Sequence, residues 1–352
     1  ENSDFFMKSI LDRRIYPIPD EKINNQWFPE IWRLLLGPYK TQSDRKNDTD
    51  KIYEILDRKV SQNLHTLKPS SIHGYEDSAA HTFRRAKELG IHCSYELPIA
   101  HWATSRRLLA EEAERYPEWI PTLDSINENE EKLQRKDQEL ELADCISCPS
   151  KFVLQSIPSN IRESKPSQVA HFGSPDICEI TTEKIEPKNL ENLKVLFVGS
   201  MSQRKGLADL FKALNILKTN NVNLTIIGQP AMPVSFYREQ YSNFNHISTC
   251  SNKEVTSIMR RHDVLVLPSI VEGCALVQLE ALACGLPIII TRNTGGEDFV
   301  DEKETGFIVP VGNPEKIAEK IEWLICNHNI LPEMSILAKQ KANKYKWNNY
   351  AK

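Results

Sequence analysis

The residues of this chain best equipped for chemistry are two carboxylates and one pair of cations. Glu272 and Glu280 stand with seven residues between them. The first follows the apolar run Val264 to Leu267, and the second lies in a helical pattern through Leu276, Leu279 and Ala283. Carboxylates accept hydrogen bonds from sugar hydroxyls. A helix starting near Ala275 turns free backbone N–H groups toward the same loop, a seat for an oxygen-rich or anionic group. A single Glu here reads as a helix surface residue. A pair inside an otherwise apolar strand, loop and helix does not, because charge beside a buried strand needs a reason. Arg204 and Lys205 sit just before Gly206 and another helical pattern. Such a basic pair is usually surface decoration. The strand before it, the glycines around it and the second loop at Glu272 favour a diphosphate site made of cations and helix N–H groups, without a metal.

The elements that must hold these residues alternate between strand and helix. Val195 to Val198, the run ending at Gly228, Val264 to Leu267 and Ile288 to Thr291 have the length and β-branched content of buried strands. Gly199 and Ser200 open the loop after the first of them. Ligands of open α/β sheets bind outside the carboxyl ends of the strands, where both loops fall. Gly228 suits a close approach of the backbone to a ligand. Gly285 and Pro287 stop the helix that carries Glu280. Gly295 and Gly296 read as a flexible turn near the site, and Ser251 or Asn252 as the cap of a helix with Glu254 in its first turn.

Upstream the pattern is less regular. A short strand is expected near Arg14 to Tyr16. Trp27, Phe28, Ile31, Trp32, Leu34, Leu35 and Leu36 fit one short helix. That helix reads first as core, and alternatively as a contact with a membrane or lipid-linked acceptor through Arg33 and Lys40. Residues 41–50 read as a polar loop, followed by an amphipathic helix apolar at Ile52, Ile55, Leu56, Val60 and Leu64. Ser78 to Leu89 read as a helix capped by Gly90, with Ile91 to Glu96 as the next strand. The acid- and lysine-rich run up to Leu142 reads as a solvated helix face. Cys145 and Cys148 form a lone C-x-x-C, read as two small core residues rather than a zinc site.

Length and composition set outer bounds. The 352 residues suit two domains. A net charge of −4 implies no broad nucleic-acid-binding field. No apolar run is long enough to span a bilayer, and no signal peptide opens the sequence. The eight cysteines are scattered, which points to a reducing cytoplasm. The first residue is Glu rather than Met, read as a fragment or a processed product.

The segment from Asp263 to Pro287 resembles the donor-site motif of retaining nucleotide-sugar glycosyltransferases of the GT-B fold, family 4. That motif is a Glu, seven residues and a second Glu, then a small-residue helix ending in Gly-x-Pro. The loop GSMSQRKG, with Lys205 and Arg204, is similar to the diphosphate loop of the same family. Relatives often place Arg directly after the glycine, where this chain has Ser200. The phrases YED, AKELG and YELP resemble the amino-terminal domain of one bacterial subgroup. Pro98 stands where relatives lead to a His that approaches the sugar, so His101 is the candidate here and His73 a further one. The expected first strand and Gly-rich loop are not visible before Phe5, and a crossing helix at the carboxyl end reads as missing or cut.

The resemblance implies two Rossmann-like domains facing across a cleft, with the amino-terminal one incomplete. The expected bounds are 1–183 for an acceptor-side domain, 184–335 for a nucleotide-sugar domain and 336–352 for a truncated helix. It implies transfer of a sugar, with retention of anomeric configuration, from a uridine- or guanosine-diphosphate sugar to a hydroxyl of a sugar or lipid-linked sugar. The setting implied is bacterial polysaccharide or glycoconjugate synthesis, in the cytoplasm or peripheral at the inner membrane face. Arg204 and Lys205 would stabilise the leaving diphosphate, Glu272 would orient the sugar and Glu280 bind the ribose. Gly199, Ser200, Gly228, Gly273, Cys274, Ala275, Leu276 and Val277 would line the donor, with no cofactor or metal. The alternatives are another enzyme of the fold, such as an epimerase or a phosphorylase-like enzyme, and a non-catalytic nucleotide-sugar-binding or scaffold subunit.

Overall fold

The computed structural model describes residues 30, 31, 33, 42–123, 128–175 and 192–350. The expected strand near Arg14 and most of the tryptophan-rich helix lie outside them. The polar loop expected at 41–50 is helical over its described residues: helix α1 runs from Gln42 to Leu67 without a break. Polar composition misleads there because the buried Asp57, about two turns further on, accepts from the backbone N–H groups of His81 (2.7 Å) and Thr82 (2.8 Å) and ties the helix to the first domain. No helix among the described residues is long and apolar enough to cross a membrane.

The first domain is built on four parallel strands in sequence order: β1 (Ser71–Tyr75), β2 (His92–Glu96), β3 (Cys145–Cys148) and β4 (Ser167–Val169). Between them come α2 (Ala80–Glu88), α3 (Trp102–Arg115), α4 (Glu130–Leu142), α5 (Lys151–Ser156) and α6 (Ser159–Ser164). Gly90 takes the left-handed conformation that ends α2, at a φ of +70° that favours glycine. One face of this sheet packs Phe83, Cys93, Tyr95, Ile146 and Cys148 into a core. Cys148 is therefore a core residue as expected. Cys145 is only half-buried, because its neighbour on the strand points to the other face, and its Sγ lies 3.6 Å from His92 Nε2.

The second domain carries six parallel strands: β5 (Leu193–Val198), β6 (Val222–Ile227), β7 (Phe244–Ile247), β8 (Val264–Leu267), β9 (Ile288–Thr291) and β10 (Gly306–Val309). Their spatial order is β10-β9-β8-β5-β6-β7, that of a doubly wound dinucleotide-type sheet. The order reverses between β5 and β8, which pair at Val195–Val264 and Leu196–Leu265. The helices are α7 (Leu207–Leu217), α8 (Val234–Gln240), α9 (Asn252–Met259), α10 (Leu276–Ala283), α11 (Pro314–Cys326), α12 (Leu331–Lys344) and α13 (Trp347–Tyr350). Ser251 caps α9 in a full capping box with Glu254.

Apolar packing and the returning chain end both join the domains. A 3-10 turn, Pro117–Thr122, follows α3 and buries Trp119 in the core of the second domain, edge-on to Phe236 and Tyr237. A smaller apolar seam sets Ala100, Leu109 and Leu123 against Ile270 and Val271. After α12 the chain turns back at Tyr345, and α13 stacks Trp347 on Phe172 while Ser174 pairs with Lys346. The last described residues thus pack on the first domain as a short helix.

Candidate functional site

The loops after β5 and β8 meet where the sheet order reverses. Gly206 sits at φ +77°, and a Cβ there would come within 2.1 Å of the Pro268 carbonyl oxygen, so only glycine lets the two loops touch. The Ile270 N–H donates to the Arg204 carbonyl at 2.9 Å, and the Arg204 guanidinium donates to the Val271 carbonyl at 3.1 Å. These bonds carry Arg204, Lys205 and Glu272 into one cluster. A single oxygen, Glu272 Oε1, lies 2.5 Å from Arg204 Nη1 and 2.5 Å from Lys205 Nζ. Glu272 is buried, and desolvation holds the Lys205 ammonium below its usual range despite the carboxylate beside it. Two cations focused on one carboxylate at a strand's carboxyl end form a ready anion seat.

The remaining donor-side residues are distributed around that cluster. The Lys205 stem lies along Gly199, where an added Cβ would stand 3.5 Å from Lys205 Cε. Gly228 packs against the Gly199 carbonyl so closely that a Cβ would come within 1.8 Å. Ser200 Oγ is 3.2 Å from Ser202 Oγ. Ala275 is the N-cap of α10, Leu276 at its first turn is exposed, and Val277 is half-buried. The Ala275 N–H is already donated to the Thr294 carbonyl, so that amide of the expected free set is spent. Cys274 is buried with its thiol pushed up to about 12 by desolvation, which makes it an inert packing residue. Glu280 is half-buried on α10, and burial raises its carboxyl above the usual range.

His101 does not join the cluster. It is buried as the N-cap of α3: Nδ1 accepts from the Ala103 N–H at 3.3 Å and Nε2 faces Asp137 Oδ1 at 3.1 Å. Burial lowers its pKa below the ordinary value, so the ring is held neutral and serves the first domain's own structure. His73 is exposed on β1 and bonded to Ser94. The turn at Gly295 and Gly296 is tightly packed rather than flexible. A Cβ on Gly295 would lie 2.0 Å from the Gly273 carbonyl, and one on Gly296 would lie 1.8 Å from Gln278.

Several residues that the sequence did not single out complete the site from the first domain. Ser150 Oγ donates to the Gly273 carbonyl at 2.6 Å, and a Cβ on Gly273 would strike the Pro98 carbonyl at 1.7 Å. Gln203, immediately before Arg204, is fully buried. Its amide nitrogen donates to Glu112 at 2.7 Å and to Asp209 at 3.0 Å, and its backbone N–H donates to Thr122 at 3.1 Å. Arg115 closes this network on Asp209 and the Gly312 carbonyl. The diphosphate-loop candidate is therefore anchored on α3 and its following turn. The prolines on either side of Trp119 were the one sequence signal of that turn.

The acid- and lysine-rich helix is solvated on one face only, where Glu131, Gln134, Gln138 and Glu141 are exposed. In α4, Lys132, Lys136 and Glu139 are all buried. Lys136 lies 3.3 Å from Glu128 and 3.6 Å from Glu76, and Lys132 lies 2.9 Å from Asp50 and 3.4 Å from Asp77. Glu128 follows the local i, i+4 spacing, 3.3 Å from Lys132, whereas Asp50, Glu76 and Asp77 come from other segments that no periodicity along α4 could reveal.

Comparison with known proteins gives a consistent result. The family described as glycosyl transferases group 1 matches residues 179–345. The capsular polysaccharide biosynthesis glycosyltransferase CapM of Staphylococcus aureus is 30% identical over 202 residues, 53% of this chain and 53% of CapM. The D-inositol 3-phosphate glycosyltransferase of Paenarthrobacter aurescens is 27% identical over 172 residues, 46% of this chain and 42% of that protein. The chain thus spans about half the length of the curated relatives it matches. Among solved structures, sucrose-phosphate synthase from Thermosynechococcus elongatus superposes with a TM-score of 0.65 at 17% identity, covering 86% of this chain and 76% of that one. Anabaena HepE in complex with UDP gives 0.62 at 15% identity, covering 84% and 79%. These likenesses establish the fold: two Rossmann-like domains across a cleft.

Proposed function

We propose that this chain, whose carboxy-terminal domain belongs to the glycosyl transferases group 1 family, moves a sugar from a nucleotide-sugar to an acceptor hydroxyl. The observation that carries this reading is the convergence of Arg204 and Lys205 on Glu272 where the sheet order reverses. A diphosphate arriving there competes with Glu272 for both cations. As the sugar–phosphate bond breaks, negative charge grows on the leaving oxygen, and two fixed cations stabilise it by several kcal/mol, of the order seen for preorganised donors (~3 kcal/mol each). Glu272, released from part of its ion pairing, accepts from the sugar hydroxyls, and Glu280 faces the ribose.

The Glu–seven residues–Glu spacing supports retention of configuration, and the two cations support a reaction that needs no metal. HepE has been captured with UDP and with UDP-glucose, which makes uridine the first base to test. The capsular polysaccharide relative supports a place in polysaccharide synthesis. The test is thermal unfolding with UDP, GDP and ADP, followed by hydrolysis of the matching nucleotide-sugars. One nucleotide at a hundredfold excess over its Kd adds about 2.7 kcal/mol of apparent stability. Lys205→Ala is expected to abolish that gain and to cut turnover by about a hundredfold or more. Absence of stabilisation by every nucleoside diphosphate defeats the reading, and binding without sugar release leaves a nucleotide-sugar-binding subunit. Anomeric proton signals of the product decide retention, and an unchanged rate in EDTA is the expected metal result.

A further inference from the structure

The loop that carries the two cations takes its shape from the opposite domain. Gln203, immediately before Arg204, is fully buried at the start of the 3-10 turn Gln203–Lys205. Its side-chain carbonyl accepts from the Ala208 N–H at 2.8 Å. Its amide nitrogen donates to carboxylates from both domains, Glu112 on α3 at 2.7 Å and Asp209 on α7 at 3.0 Å. Ionised carboxylates only accept, so the amide has a single workable orientation and both its donors are spent. Arg115 balances the two acids: its guanidinium bonds Glu112 and reaches Asp209 at 2.9 Å. The same loop has a second hold. Tyr237, against which Trp119 packs, donates its hydroxyl to the Met201 carbonyl at 2.6 Å.

Glu112, Gln203 and Asp209 are all buried, so none of them meets a ligand directly. What they set is where the next two residues stand. Without the amide between them, two buried acids would be left with unfilled acceptors, which is costly. A short loop is cheaper to move than α3 or α7, so the strain falls on Arg204 and Lys205.

We propose that Glu112 is a positioning residue for the transfer reaction: acting through Gln203 from the opposite domain, it aims Arg204 and Lys205 at the charge that grows on the leaving diphosphate. The assignment rests on the donor reading above. A bound diphosphate is fully charged before reaction, and cations attract it at long range. The growing charge sits on one oxygen, and its stabilisation depends on fixed donor geometry. Loss of Glu112 therefore acts on kcat far more than on KM.

The test joins hydrogen exchange to kinetics on the full chain. In Glu112→Gln, amide exchange from Met201 to Gly206 is expected to rise at least about tenfold, with β5, β8 and α7 unchanged. Hydrolysis of the nucleotide-sugar is expected to lose about tenfold to a hundredfold in kcat, with KM within about threefold. Calorimetric titration with the matching nucleoside diphosphate still fills every chain, which excludes an unfolded fraction as the cause. Lys205→Ala, by contrast, loses the nucleotide itself. Gln203→Met keeps the side chain's length and removes both donors. It is expected to match Glu112→Gln, and the double variant to be no slower than the slower single one, because both break one contact. If Glu112→Gln does not fold, Gln203→Met carries the same comparison.

The proposal is overturned if exchange in the loop is unchanged, if it rises equally in every strand, if kcat is unchanged, or if the two effects multiply. A protein that takes up no nucleoside diphosphate loses the donor reading, and the exchange pattern then decides by itself whether Glu112 sets the loop.

Discussion

The two sheets of this molecule solve burial differently. In the second domain, β8 and β9 are buried at every position, and their sequences VLVL and IIIT are apolar nearly throughout. In the first, β1 reads SIHGY with alternate residues exposed, and β3 alternates half-buried and buried positions. A parallel sheet covered on both faces needs continuous apolar strands. The first domain instead places its charges inside, on α4 and on the β1 exit, where Lys132, Lys136, Glu76 and Glu139 pair with one another's neighbours. One domain holds its site on a rigid apolar frame, and the other is built around compensated charge. The two are not independent, because Trp119 and Gln203 lock them together across the cleft.

The largest effect that bears on this contrast is expected from Trp119→Ala. If the turn after α3 belongs to the second domain's core, the substitution costs about 3–5 kcal/mol and lowers the melting temperature of the unit that contains Phe211 and Tyr237. A cost below about 1 kcal/mol, at the level of a surface change, shows that the domains merely touch.

A smaller effect concerns the buried charges. Burial pushes the Glu76 and Glu139 carboxyls up to about 7 from the ordinary 4.5. Both groups hold protons in the folded chain that the unfolded chain has released, so stability falls as pH rises from about 4.5 to about 7. Glu76→Gln is expected to remove its share of that slope, on the order of 2 kcal/mol across the window. Equilibrium unfolding at a series of pH values measures it, and an unchanged slope means that Lys136 already cancels the burial of Glu76.

The smallest effect sharpens the contrast from the other side. Ser251→Ala removes a local capping box and is expected to cost about 1 kcal/mol, with the same value when combined with Glu76→Gln. Non-additive denaturation midpoints would show that the two domains share strain as well as contacts.

The second domain was readable because its signals are local. β5, β8, the helix stop at Gly285 and the spacing of Glu272 and Glu280 are each set within a few residues. The glycines that allow close approach at Gly206 and Gly228 stand in the same short stretches. The first domain was less readable because its partners are distant in sequence. The lysines on α4 appear solvated until Asp50 is brought to Lys132 and Glu76 to Lys136.

The amino-acid order by itself determined the strand–helix alternation, the position of both ligand loops and the presence of a carboxylate and two cations on them. Tertiary structure decided that these three share one oxygen atom, that His101 is a helix cap and that the Ala275 amide is spent. It also decided that the second domain's core is completed by Trp119. The physical reason is the same in each case. Periodicity and turn chemistry act over one element, whereas the cost of burying a charge or an aromatic ring is settled by whichever distant group arrives beside it.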